Sequence, residues 1–142
     1  MSTRYRICGA LLMLLGLTAA APALAHHSFS GVFNVKKQIV LKGAMSKIDW
    51  VNPHIYIFLD VKDNDGKVTT WSIESLPTNH LRKAGIARQD IWNNAAVGEV
   101  VTVHAYEAHD PAKHLAWLLR ITYADGHFLH VNGDPKAIAA SN

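Results

Sequence analysis

The sequence predicts an all-β domain of five principal strands with one short helix between the third and the fourth. Three observations predict it. Apolar and polar residues alternate with period two over much of the chain from Gln38 onward, the signature of strands with one dry and one wet face. Two turn signals, Asn64-Asp65-Gly66 and Ala124-Asp125-Gly126, separate alternating runs. One intervening stretch, Pro77 to Gly85, carries helix punctuation instead: proline at its start, basic residues late, glycine just beyond.

The first strand is expected from Gln38 to Trp50, with Gly43 as a bulge or bend. Val51-Asn52-Pro53 ends it, because proline has no N–H for a ladder and restricts the residue before it. His54 to Lys62 follows, with Ile55, Ile57, Leu59 and Val61 on one face and His54, Tyr56, Phe58 and Asp60 on the other. The Asn64-Asp65-Gly66 turn, whose residues tolerate positive φ, leads into a third strand at Lys67 to Ser75. After the helix, residues 86–96 are ambiguous, with a second short helical turn around Ile91 and Trp92 as one reading. The fourth strand runs from Val100 to Ala108 with a change of phase in its second half, and Asp110-Pro111 breaks it. The fifth runs from Leu115 to Tyr123, and a short segment from His127 to Val131 follows its turn. This order fits a small OB-like Greek-key barrel; the alternative is an open antiparallel β-sandwich.

The first 25 residues read differently. Arg4 and Arg6 precede an apolar run from Ile7 to Leu17, and Ala23-Leu24-Ala25 supplies an A-x-A site, the three-part pattern of a secretory signal peptide. The run is shorter than the roughly 20 apolar residues a membrane span requires. The expected division is therefore a signal at 1–25, an N-terminal segment at 26–37, a β-barrel domain at 38–131 and a flexible tail at 132–142, in a soluble product that is periplasmic or secreted. Cys8, the only cysteine, lies inside the signal, so thiolate metal sites and disulfides are excluded from the processed chain. Cleavage also removes Arg4 and Arg6, taking the formal charge from +3 to +1, and no Lys/Arg stripe remains to track a nucleic-acid backbone.

Several short blocks occur together: Ala25-His26-His27-Ser28-Phe29, Trp50-Val51-Asn52-Pro53-His54, Asp65-Gly66, Trp71-Ser72-Ile73-Glu74, Ala84-Gly85 and Val97-Gly98-Glu99. As a set they make the chain resemble the DUF6152 family of small exported bacterial proteins, over nearly the whole processed chain up to about Gly126. The resemblance implies a class and a compartment; the family's function is unknown, so it supplies no catalytic residue. The chain departs from the family pattern in the His-rich stretch between Tyr106 and His114.

All nine histidines follow the cleavage site. Cleavage after Ala25 would make His26 the first residue, whose α-amine and imidazole can chelate one metal ion. This donor set suits copper, with zinc or nickel as alternatives, better than calcium or magnesium. The candidate metal residues are His26, His27, His54 and Glu74: His54 adds an imidazole, His27 substitutes for either ring or hydrogen-bonds outside them, and Glu74 supplies a carboxylate or orients a ring. The arrangement resembles a histidine brace. The competing reading is ordinary surface histidines, with His54 bonded to its own turn. His104, His109 and His114 are expected to act separately, because Asp110-Pro111 interrupts any helix that would align them.

A second function class rests on the aromatic residues. Trp50, Trp71, Trp92 and Trp117, with Phe29, Phe33, Tyr56 and Phe58, would form either a groove for a small apolar ligand or periplasmic protein partner, or simply core and lid. An enzyme is the weakest class. Ser28 beside His27 makes no triad by adjacency, nothing selects a pair among Asp49, Asp60 and Glu74, and no nucleophile elbow, phosphate loop or His-Glu-x-x-His occurs.

Overall fold

The computed structural model describes residues 29–92 and 98–131. Helix α1 (Phe29–Val32) leads into β1 (Phe33–Asp49), followed by β2 (Tyr56–Lys62) and β3 (Val68–Glu74). Helices α2 (Thr78–Lys83) and α3 (Arg88–Ile91) come next, then β4 (Val100–Ala108), a 3-10 turn at Pro111–Lys113, β5 (Leu115–Thr122) and β6 (Phe128–His130). The strands lie in the order β3-β2-β1-β4-β5-β6, neighbours antiparallel. A parallel pairing of β3 with β5, Ser72 with Leu115 through Glu74 with Trp117, joins the ends of the first five strands into a barrel-like ring. The fold is thus all-β, with the helix expected between the third and fourth strands in place.

The inward positions are those that the alternation selects. Ile57 and Leu59 of β2, Ile73 of β3, Val103 of β4 and Ile121 of β5 are fully buried, each stabilising the fold by about 1.5–3 kcal/mol relative to exposure. Leu81 of α2 and Ile91 of α3 join the same core. Helix α2 stops where the sequence predicts: Gly85 takes φ 75° and its N–H donates to the Arg82 carbonyl. The β2–β3 turn is closed by Asp63, whose Oδ1 accepts from the Asp65 and Lys67 N–H groups at 3.0 and 2.8 Å, while Gly66 takes φ 86°.

Two strand starts and the position of a bulge differ from the expected ones. β1 begins at Phe33 rather than Gln38, because Phe33 already pairs with Ala108 across a register break that leaves Val35, Lys36 and Lys37 exposed and without alternation. The bulge in β1 falls between Met45 and Lys47, not at Gly43. Gly43 instead marks a close approach: a Cβ there would lie 2.5 Å from the Asp60 carbonyl oxygen. β2 begins at Tyr56, two residues after His54, which stays on the turn that follows Pro53. The phase change in β4 also acquires a cause. Tyr106, Glu107 and Ala108 are all buried, because α1 and Trp117 cover the outer face there and form a second cluster with Phe33 and Tyr106.

Candidate functional site

His54 and Glu74 come together where β2 starts and β3 ends. Tyr56 and Glu74 are register partners, and the Ser75 N–H donates to the Ile55 carbonyl at 3.0 Å, which holds the chain after β3 against the residues before β2. His54 Nδ1 lies 3.0 Å from the Ser75 carbonyl oxygen and 3.5 Å from Glu74 Oε1. A carbonyl only accepts, so Nδ1 carries the proton and donates, which leaves the lone pair on Nε2. A backbone carbonyl on one ring nitrogen commonly orients a metal-binding imidazole by its other nitrogen. The His54 side chain is 28% exposed and that of Glu74 15%. The Tyr56 hydroxyl donates to Glu74 Oε2 at 3.1 Å. Burial first, then the Glu74 charge and hydrogen bond, push the Tyr56 hydroxyl up to about 12, so it remains a donor at neutral pH.

Trp117 links this pair to the start of the described chain. Its ring meets that of His54 edge to face at 5.8 Å between centroids, and that of Phe29 edge to face at 5.0 Å. Phe33 adds a tilted contact with the same indole at 5.5 Å. Helix α1 is pinned there by His109, whose backbone N–H donates to the Val32 carbonyl and whose Nε2 lies 3.0 Å from the Ser30 carbonyl oxygen. Trp117 is 3% exposed, and its Nε1 has no acceptor among the described residues.

His26 and His27 lie outside the described residues, and so does Ser28. Among the described residues no three His, Cys, Asp or Glu side chains gather as a metal cluster; His54 and Glu74 are a pair. The other histidines disperse as the sequence predicts. His109 holds α1, His114 packs on Trp71 at 5.3 Å, and His104 lies on the opposite strand from Arg120, Nε2 to Nη2 2.8 Å. His127 stacks on Tyr123 at 4.2 Å and bonds Asp125. The carboxylates considered for acid–base work have separate partners: Asp49 takes Lys47 at 2.8 Å, and Asp60 accepts from Thr70 at 2.6 Å. Of the aromatic set, Trp92 and Trp117 are buried, while Trp50 and Trp71 pack partly buried against the main core. Ser75 and Trp117 are the residues that spacing alone does not attach to His54: only β3–β5 closure brings Trp117 there.

Burial, and then the Arg120 charge, hold the His104 imidazole below its ordinary value of 6.5. As pH falls, the unfolded chain takes up this proton before the folded one does. Stability is therefore lost as pH drops from about 6.5 to the lower folded-state value, and the effect is absent above that window. Denaturant unfolding of His104→Gln, which keeps an acceptor for Arg120, is expected to show a shallower loss of stability below pH 6.5 than the wild type. Equal slopes would remove His104 as a contributor.

Residues 15–116 match the model of a family described as a family of unknown function, DUF6152. Neither the curated proteins nor the solved structures give a match. No helix among the described residues is long and apolar enough to cross a membrane.

Proposed function

We propose that this protein, which belongs to the DUF6152 family of unknown function, is an exported, soluble copper carrier or accessory protein. Cleavage before His26 supplies the amine and first imidazole, His54 Nε2 the second imidazole, and His27 a replacement or outer partner. Glu74 sits behind His54 as the orienting carboxylate. Zinc is the second candidate metal. The observation that carries this reading is the placement of Phe29 and His54 against one indole, Trp117. His26 precedes Phe29 by three residues, which reach about 10 Å when extended, so the histidine pair is tethered within range of His54. The protonated Nδ1 of His54 supports the same assignment, because it leaves Nε2 as the ligand atom.

A second reading uses the same patch without metal: the Trp117 and Phe29 rings would take a small apolar ligand or a periplasmic protein partner. Copper(II) titration with electron paramagnetic resonance separates the two. The processed protein should bind one copper ion. Acetylating the α-amine of the processed protein should weaken binding at least tenfold by removing the amine from the chelate, and His54→Ala should weaken it by a similar factor. Binding unchanged in the acetylated protein would overturn the terminal chelate and favour the aromatic reading, which does not depend on a free amine. Loss on acetylation with no effect of His54→Ala would leave a chelate confined to the chain terminus.

A further inference from the structure

On a face of the sheet separate from His54, β4, β5 and β6 align three nitrogen-bearing side chains. His104 pairs with Arg120, and Arg120 with His130. The adjacent row runs Lys42, Thr102, Thr122, Phe128. Neither row contains a carboxylate. The inward neighbours Val103 and Ile121 are fully buried, so the alternation turns His104 and Arg120 outward, where both are partly exposed, while His130 is exposed.

Arg120 is the unusual member. A partly buried guanidinium ordinarily meets a carboxylate, often through two parallel bonds. Among the described residues no carboxylate lies within ion-pair distance of it. Its Nη2 lies 2.8 Å from His104 Nε2, its carbon sits 5.8 Å from the centre of the Phe128 ring, and its Nε is buried with no acceptor among the described residues. A guanidinium has no lone pair to offer, so Nη2 donates and His104 accepts. The neutral ring then carries its proton on Nδ1. Phe128, itself 55% exposed, supports the guanidinium by a cation–π contact. The face therefore offers N–H donors and positive charge, with Lys42 and two threonine hydroxyls beside it. That chemistry repels cations and suits an oxyanion.

We propose that the His104–Arg120–His130 face binds a dianionic phosphate group. A carboxylate would satisfy only the guanidinium fork. A phosphate has further oxygens for an imidazole on the neighbouring strand, at a strand spacing of about 4.8 Å. Binding would also supply the negative charge that Arg120 lacks, and it would reverse the influence that keeps the His104 ring neutral. The site is independent of the proposed copper site.

The test is a titration of the full chain, without added copper, with inorganic phosphate, followed by NMR of the Arg120 side chain and the His104 and His130 rings. Saturable shifts at all three are expected, with acetate at least tenfold weaker. Arg120→Gln should weaken phosphate at least about tenfold. Arg120→Lys, which keeps the charge and loses the fork, should fall between, and Lys36→Gln on the exposed start of β1 should change nothing. If Arg120→Gln fails to fold, His130→Ala at an exposed position provides the comparison and should weaken phosphate a few-fold. Retention on phosphatidylcholine vesicles containing phosphatidic acid, lost in Arg120→Gln, would assign a lipid headgroup as the source of the phosphate; no retention would assign a free anion. Absence of a saturable response to phosphate, or equal binding by every variant, would overturn the site.

Discussion

Gly43→Ala is expected to destabilise the protein by about 2 kcal/mol, and Gly43→Val by about 3 kcal/mol or more. The reason is steric and not conformational. Gly43 is buried in β1 and pairs with Val101 of β4. Its missing Cβ would lie 2.5 Å from the Asp60 carbonyl oxygen, 3.0 Å from the Asp60 carbonyl carbon and 3.0 Å from Leu59 Cγ. The obstacle is backbone. Asp60 pairs with Ala44 on one side and Thr70 on the other, so β2 cannot retreat without disturbing two ladders. Urea unfolding and thermal melts should report the loss, the melts as a drop of roughly 10 to 20 °C. Gly66→Ala is the informative comparison: it has positive φ, but its Cβ would meet only the Lys62 side chain, at 3.5 Å, and about 1–2 kcal/mol is expected. Wild-type stability in Gly43→Ala would show that β1 and β2 can separate locally, and that the close approach does not constrain the fold.

Trp117→Ala should cost about 3–5 kcal/mol, the usual range for a large aromatic side chain removed from a core. The indole is almost fully buried and touches Phe29, Phe33 and His54. Trp117→Phe should cost far less, about 1–1.5 kcal/mol. It retains much of the apolar contact and removes an Nε1–H that has no acceptor among the described residues, whose burial is itself unfavourable by about 1–3 kcal/mol. Denaturant midpoints of the three proteins decide the matter. A Phe variant as unstable as the Ala variant would mean that the N–H, and not the ring, holds the cluster, through an acceptor outside the described residues. On the proposed copper site, the Ala variant also loses the surface that holds Phe29 near His54, so its copper affinity should fall while Trp117→Phe largely keeps it.

Much of this fold was legible because its signals are local. Period-two alternation named the inward residues Ile55, Ile57 and Leu59 of the second strand, and Asp65-Gly66 fixed its hairpin. The start of β1 was not legible: residues 34–38 lack alternation because the register breaks there, and only Phe33 turns back into the second cluster. Gly43 announced a peculiarity but not its kind, since a glycine that permits a bulge and one that permits a close approach look alike in one sequence. The candidate site divided the same way. His54 and Glu74 were foreseeable because a hairpin with a known turn fixes which residues face each other. Trp117 was not, because its approach depends on the β3–β5 pairing, whose partners lie far apart in the chain. The Arg120–His104 contact escaped for the same reason: a cross-strand neighbour depends on a register that a bulge between His104 and Ala105 shifts.

The parallel seam between β3 and β5 also bears on the order of assembly. Hairpin pairs such as β2–β3 form between nearby residues, whereas the seam joins residues 72–74 to 115–117 and must wait until the long intervening loop is closed. Glu74 and Trp117 are partners in that late contact. The surroundings of His54 are therefore completed only by a non-local pairing, and a chain still open at the seam would carry every residue of the candidate site without the site itself.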